Sequence, residues 1–204
     1  QKEPDGNFPT VSYPNPEDKE AFKLSLELAK KVDADVVLAT DPDADRVGVM
    51  YKNKEEYKYI NGNLLGIMFA NYISLNSKEN NNSYMVKSIV TTPMLNKICK
   101  EKNIECYEVL TGCKNIAHKK HELKNKKYLF GYEESLGYMF DINIDDKDGF
   151  SSMMVILEIM CYCKEKNITM NDYITSIYEK YGYYLEETLS FVYSGIDGKN
   201  IINK

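Results

Sequence analysis

The run Val36-Val37-Leu38-Ala39-Thr40, followed at once by Asp41-Pro42-Asp43-Ala44-Asp45-Arg46, constrains this chain more than any other segment. A short apolar, β-prone run predicts a buried strand. At its end come three carboxylates at two-residue spacing, closed by an arginine. Alternate residues of extended backbone point the same way, so Asp41, Asp43 and Asp45 can converge on one point. Unpaired carboxylates brought that close repel one another, by roughly 4 kcal/mol per pair at about 4 Å and an effective dielectric near 20. A hard divalent cation removes that cost, and an oxygen-only donor set suits Mg²⁺. Arg46 can form a bidentate pair with phosphate oxygens. Metal ligands and an arginine at a strand end point to phosphoryl chemistry.

Other readings of the acidic run fit less well. A solvated acidic turn leaves the preceding strand and the following arginine unexplained. A calcium hand needs glycine and glutamate where this chain has Arg46 and Lys52. An aspartyl-phosphate hydrolase loop also joins a strand to Asp-x-Asp, with Asp41 then the nucleophile and Asp43 the general acid. The third acid, Asp45, favours a metal cage over that arrangement.

The chain has 204 residues, enough for one large domain or one domain plus a piece of another. With 43% hydrophobic and 28% charged residues it has the composition of an ordinary globular protein. A net charge of −5 argues against a general nucleic-acid footprint. No apolar stretch is long enough to span a membrane, and no signal peptide is visible. The opening Gln1-Lys2-Glu3-Pro4, without an initiator Met, reads as a cut from a longer protein. Cys99, Cys106, Cys113, Cys161 and Cys163 are odd in number and lack C-x-x-C spacing. They suit a reduced, cytoplasmic compartment, with Cys161 and Cys163 as packing residues rather than metal ligands.

Strand and helix patterns alternate along the chain, predicting an α/β layered sandwich. Asn15 reads as the cap of a first helix, with Leu24, Leu28, Ala29 and Val32 at helical spacing. After the acidic loop, Val47 to Tyr51 and Tyr57 to Ile60 read as a hairpin. Asn61 caps a helix over about 64–73, and the polar stretch from Ser77 to Ser83 reads as an exposed loop. A strand from Tyr84, a helix from Pro93 to about Lys102, a strand over 104–109, a helix over 115–123 and a short strand over 128–130 follow. Two more helices are expected, over about 150–164 and from Asn171 or Asp172 to Tyr181, the second ended by Gly182. No internal repeat is present. Residues 1–60 read as part of a unit, 61–190 as a complete domain, and 191–204 as a linker.

Three further loops lie beyond predicted strand ends, where α/β sheets place their sites. Thr111-Gly112-Cys113-Lys114 offers close backbone approach and a hydroxyl, or is a plain turn. Gly131-Tyr132-Glu133-Glu134-Ser135-Leu136-Gly137 offers acceptors for sugar hydroxyls, or glutamates that meet only water. Asp145-Asp146-Lys147-Asp148-Gly149 places Asp148 as a helix cap. Its Lys147 can project into a cleft and lose its proton near neutrality if desolvated beside other cations; if exposed it stays charged and idle. His118 and His121, in a Lys-rich helix, read as solvated.

In this order and spacing the loops resemble the α-D-phosphohexomutases, over roughly Phe8 to Val192. Asp41 to Arg46 is similar to that family's Mg²⁺ loop, Thr111 to Lys114 to its Thr-Gly loop, and Glu133-Glu134-Ser135 to its sugar-recognition loop. Asp146-Lys147-Asp148-Gly149 resembles a motif of its phosphoglucomutase members, and Phe8 to Val11 and Tyr13 to Glu17 also look familial. The commonest family loops have glycine where this chain has Pro42, Ala44 and Tyr132. These differences resemble the branch that also acts on pentose phosphates, although that branch often has alanine at Ser135. The resemblance implies an α/β/α sandwich with a mixed sheet, the end of domain two and all of domain three of a four-domain enzyme. It implies Asp41, Asp43 and Asp45 on Mg²⁺, Arg46 on a phosphoryl oxygen, and Lys147 as general acid/base. Thr111, Gly112, Lys114, Glu133 and Ser135 would bind substrate. The phosphosugar would react through a sugar bisphosphate with a phosphoserine in domain one, domain four clamping the phosphate. The fragment alone is expected to be inactive. A non-catalytic sugar-phosphate-binding module is the other alternative.

Overall fold

The β-branched run Val36–Thr40 forms strand β1, which returns antiparallel as β2 (Val47–Asn53), and a tight turn with Lys54 at φ 59° leads to β3 (Glu56–Ile60). The register pairs Leu38 with Val49 and Thr40 with Val47, so the acidic loop is the β1–β2 connection. Alternation in β2 feeds two cores. Val47, Val49 and Tyr51 enter the main core, whereas Met50 packs with Phe22, Ala29 and Val37 on the opposite face. The computed structural model describes residues 3, 5–77, 81–186, 193 and 195–203.

The first helix departs from expectation. Asn15 holds a local turn through Glu17 N, and Asp18 caps a short 3₁₀ turn over Lys19–Phe22 before α1 (Lys23–Val32) begins. Leu24, Leu28 and Val32 are exposed, and Phe22 and Ala29 carry the buried face instead. The helical spacing was right, but the apolar stripe faces outward.

The second sheet has the order β5-β4-β6-β7. Strands β4 (Ser83–Ser88), β5 (Glu105–Val109) and β6 (Lys127–Glu133) are parallel, and β7 (Gly137–Met139) folds back antiparallel on β6, giving a mixed sheet. Central β4 is buried throughout, as expected for a strand covered on both faces. On one face Met85, Leu129 and Phe130 meet α2 (Gly62–Asn76) and α3 (Met94–Glu101). On the other, Tyr84, Val86 and Tyr128 meet Ile116 and Ala117 of α4 (Cys113–Glu122). Helices α5 (Gly149–Glu165) and α6 (Met170–Tyr181) join α2 over the main core, which also takes in β2. The result is an α/β/α sandwich.

Caps match the sequence at Asn61 for α2 and Asp148 for α5, while Thr169 and Asp172 form a capping box on α6. The strand β7 and a helix α7 (Gly195–Ile202), within the stretch read as a linker, were not expected. Of the polar loop, residues 78–80 lie outside the described residues. All five cysteines are free thiols, Cys163 buried and Cys161 exposed. Among the described residues no helix is long and apolar enough to cross a membrane.

A bulge sets which way the end of β6 faces. The pairing with β4 shifts between Tyr84 and Met85, which face Tyr128 and Phe130, so Leu129 is the extra residue. Beyond it Phe130 and Tyr132 stack with Tyr138 on the α2 side, while Glu133 turns towards α4. Tyr132 is fully buried and is seated on Gly66 of α2, where a Cβ would lie 2.3 Å from the ring. Its ring therefore fills the core, not the site. Gly66→Ala gains about 1 kcal/mol of helix propensity but overpacks a ring wedged in an aromatic stack, a cost of about 1–3 kcal/mol. The expected outcome is a net loss of stability, seen as a lower urea midpoint; an unchanged midpoint would mean the ring is free to move.

Candidate functional site

The acidic loop converges as expected but by a different local geometry. It is a turn rather than extended chain: Ala44 N donates to Asp41 O at 3.1 Å, Ala44 is left-handed at φ 57°, and Arg46 N donates to Asp41 Oδ1 at 3.1 Å. One oxygen from each of Asp41, Asp43 and Asp45 lies within 4.8 Å of the others. Asp43 is exposed, and Asp41 and Asp45 are half-buried. Burial and the hydrogen-bonded neighbour Asp45 push the Asp41 carboxyl up. Burial pushes Asp45 the same way, but Lys147, Asp41 and Arg46 together hold it below the usual carboxylate range. Asp45 Oδ1 is buried with no hydrogen-bond partner, as is Arg46 Nε. The guanidinium is loosely held, 3.5 Å from Asp41, 3.7 Å from Asp45 and 3.5 Å from Glu17. An oxygen-only donor set with one buried orphan oxygen fits a hard divalent cation. A cleft of about 760 Å³ opens beside Asp41 and Pro42, bounded also by Phe8, Val11 and Leu38.

Lys147 reaches this loop from the segment before α5. Its Nζ lies 2.8 Å from Asp45 Oδ2, and its side chain is only 12% exposed. Burial alone would lower its affinity for a proton, but the hydrogen bond and charge of Asp45 outweigh that and raise it. Of the two sequence readings of Lys147, the side chain has the partial burial of the first and the charge of the second: its near neighbour is the Asp45 carboxylate, which holds it as an ammonium. Two glycines make the approach possible. A Cβ on Gly137 would lie 2.2 Å from Lys147 Cδ, and one on Gly149 would lie 2.6 Å from Ala44 O. Gly149 N donates to that same Ala44 O at 3.0 Å, and Arg46 bridges to Gly137 of β7.

The two glutamates differ. Glu133 is buried, and its Oε1 accepts from Gly112 N at 2.6 Å, tying the sugar-type loop to the Thr-Gly loop at the start of α4. Glu134 is half-buried and accepts from Ser88 Oγ at 2.9 Å. Backbone at Glu134 rests on Gly62, where a Cβ would meet its carbonyl at 1.7 Å. Cys113 links the two halves of the site. Burial and a hydrogen bond to Asp146 push its thiol up, and both Lys147 and Glu133 act on it electrostatically. Thr111 and Lys114 are exposed and Ser135 is half-buried. None of these three side chains is bonded to another candidate residue.

Ser88, Glu17 and Lys120 belong to the surroundings of the site and were not singled out from the sequence. Lys120 was detectable in principle, because it falls four residues after Ile116 on the buried stripe of α4. The histidines are exposed but paired, His121 Nε2 at 2.6 Å from Asp145 and His118 Nδ1 at 3.2 Å from Glu122.

Residues 61–181 match the family description phosphoglucomutase/phosphomannomutase, alpha/beta/alpha domain III, and residues 1–54 match alpha/beta/alpha domain II. A phosphoglucomutase of Staphylococcus saprophyticus is 37% identical over 204 residues, covering 97% of this chain and 37% of that protein. A phosphopentomutase of Mus musculus is 36% identical over 203 residues, covering 94% of this chain and 33% of that protein. The crystal structure of a phosphoglucomutase/phosphomannomutase family protein from Burkholderia thailandensis superposes with a TM-score of 0.64 at 25% identity, covering 76% of this chain and 32% of that one. The chain thus spans about a third of the length of these relatives. Two consecutive domain matches in the family's order, on a fold that superposes on one of its members, make this chain a fragment of an α-D-phosphohexomutase.

Proposed function

We propose that this chain supplies the metal loop and the sugar-recognition loops of a phosphosugar mutase, which moves a phosphoryl group between the 1- and 6-positions of a hexose, or the 1- and 5-positions of a pentose. The observation that carries this reading is the convergence of Asp41, Asp43 and Asp45 at a strand end, with a buried orphan oxygen on Asp45. Those three residues would hold Mg²⁺, which when bound offsets negative charge on a phosphoryl group. Arg46 has spare donors to meet a phosphoryl oxygen, since its Nε is unsatisfied. Glu133 and Ser135, with the backbone of Thr111 and Gly112 and the exposed Lys114, would bind the sugar, a reading supported by the Glu133 bond that ties the two loops together. Lys147, held as an ammonium 2.8 Å from Asp45, is the candidate general acid/base, poised first to give a proton.

In the whole protein the phosphoserine would come from a first domain and the phosphate clamp from a fourth. The substrate would pass through a sugar bisphosphate without a nucleic-acid or membrane partner, in the cytoplasm. The hydrolase alternative, with Asp41 as nucleophile, is disfavoured because a third carboxylate, Asp45, converges with Asp41 and Asp43, and one Asp41 oxygen is engaged by Arg46 N.

Isothermal calorimetry with Mg²⁺ or Mn²⁺ tests the cage. Weak binding is expected for the chain and near-complete loss of heat for Asp43→Asn; equal heats from both would remove the cage. The glutamates should separate by denaturation. Glu133→Ala strips a buried charge-assisted bond and is expected to cost about 1.5–3 kcal/mol. Glu134→Ala removes one half-buried contact and is expected to cost about 1 kcal/mol or less. The reverse order would exclude Glu133 as the brace of the Gly112 loop.

A further inference from the structure

Lys120 is a cation on the core face of α4, its side chain 1% exposed. An ammonium has three donors, and all three find acceptors in one segment. They are Asp141 O at 2.9 Å, Ile144 O at 2.5 Å and Asp145 Oδ1 at 3.3 Å. The ammonium also lies 5.2 Å from the centre of the Tyr128 ring, whose hydroxyl donates to Met139 O. Next to it, His121 takes the other oxygen of Asp145.

The segment so gripped joins β7 to α5. Residues 141–146 are exposed, lack regular structure, and leave Ile142 and Ile144 nearly half in solvent, so they have no core of their own. Its far end carries Lys147 to Asp45 and Gly149 to Ala44. Lys120 holds both ends of this segment from outside it, at Asp141 and Asp145, with His121 added at Asp145 and Cys113 at Asp146. Burying a cation is costly, and an apolar residue of similar volume often serves stability as well. What the ammonium adds is a fixed position for three backbone and side-chain oxygens at once.

We propose that Lys120 is a positioning residue: by clamping residues 141–145 to α4 it sets where Lys147 stands against the metal loop. This rests on the metal-loop reading above. The Lys147 ammonium opposes a dication at Asp45, so Lys147→Met should tighten Mn²⁺ binding to the full chain by about tenfold to thirtyfold, the effect of a unit charge on a dication about 4–6 Å away across water. Lys120→Met, which keeps the bulk and removes the donors, should shift Mn²⁺ affinity the same way. The double variant should bind no more tightly than Lys147→Met. An unchanged affinity for Lys120→Met, or full additivity in the double variant, overturns the proposal.

A second readout separates failure of the clamp from failure of the metal reading. If neither the parent chain nor Asp43→Asn binds Mn²⁺, the cage is wrong, and amide exchange decides the clamp. The Gly149 N–H, bonded to Ala44 O, should then exchange about fivefold to tenfold faster in Lys120→Met, the loss of about one net hydrogen bond; an unchanged rate overturns it. Should Lys120→Met fail to fold, Asp145→Ala, on an exposed loop, removes the side-chain acceptor of Lys120 and must move the same readouts in the same direction by less. No movement there counts against the clamp.

Discussion

A narrow seam joins the three-stranded hairpin sheet to the four-stranded sheet, and everything proposed for this chain depends on it. Val47 N donates to Leu136 O, Arg46 bridges to Gly137, and Gly149 N donates to Ala44 O. Backbone contacts of this kind need close approach, which is why glycine stands at 137 and 149. They bring a loop from one matched domain into ion-pair range of a loop from the next. The Asp45–Lys147 pair is the chemical result, and the charge state of both partners follows from it.

The pair also shows how electrostatics and burial trade against each other. Partial burial alone would push both groups towards their neutral forms. Each instead stabilises the charged form of the other, while Asp41, denied a lysine, drifts the other way. Two chemically identical side chains of one loop, Asp41 and Asp45, thus acquire opposite tendencies from their neighbours.

Much of this was legible in the residues. The strand-to-acid transition at Thr40–Asp41 located the convergence of the three acids because local pattern and local chemistry coincide there. Caps at Asn61 and Asp148 were visible because capping depends on nearby backbone. The misses share a cause in contacts distant in sequence. β7, only three residues long, exists because it pairs with β6. The outward stripe on α1 was misread because periodicity gives a helix's spacing but not which face is covered. The Asp45 partner of Lys147 lies about a hundred residues away, so spacing gave no sign of which charge would face the lysine, and the bulge that turns Tyr132 into the core cannot be read from spacing either.

The Leu129 bulge has a consequence for how β6 can vary. Tyr128 and Glu133 are five residues apart, an odd interval that in a regular strand would place them on opposite faces. The extra residue restores parity, so that an aromatic under α4 and a carboxylate at its start share one side. Gain or loss of a single position in this strand would hand the carboxylate's place to a neighbour and bury the charge among rings. The parity of the interval from Tyr128 to Glu133 is therefore a chemical requirement as well as a geometric one.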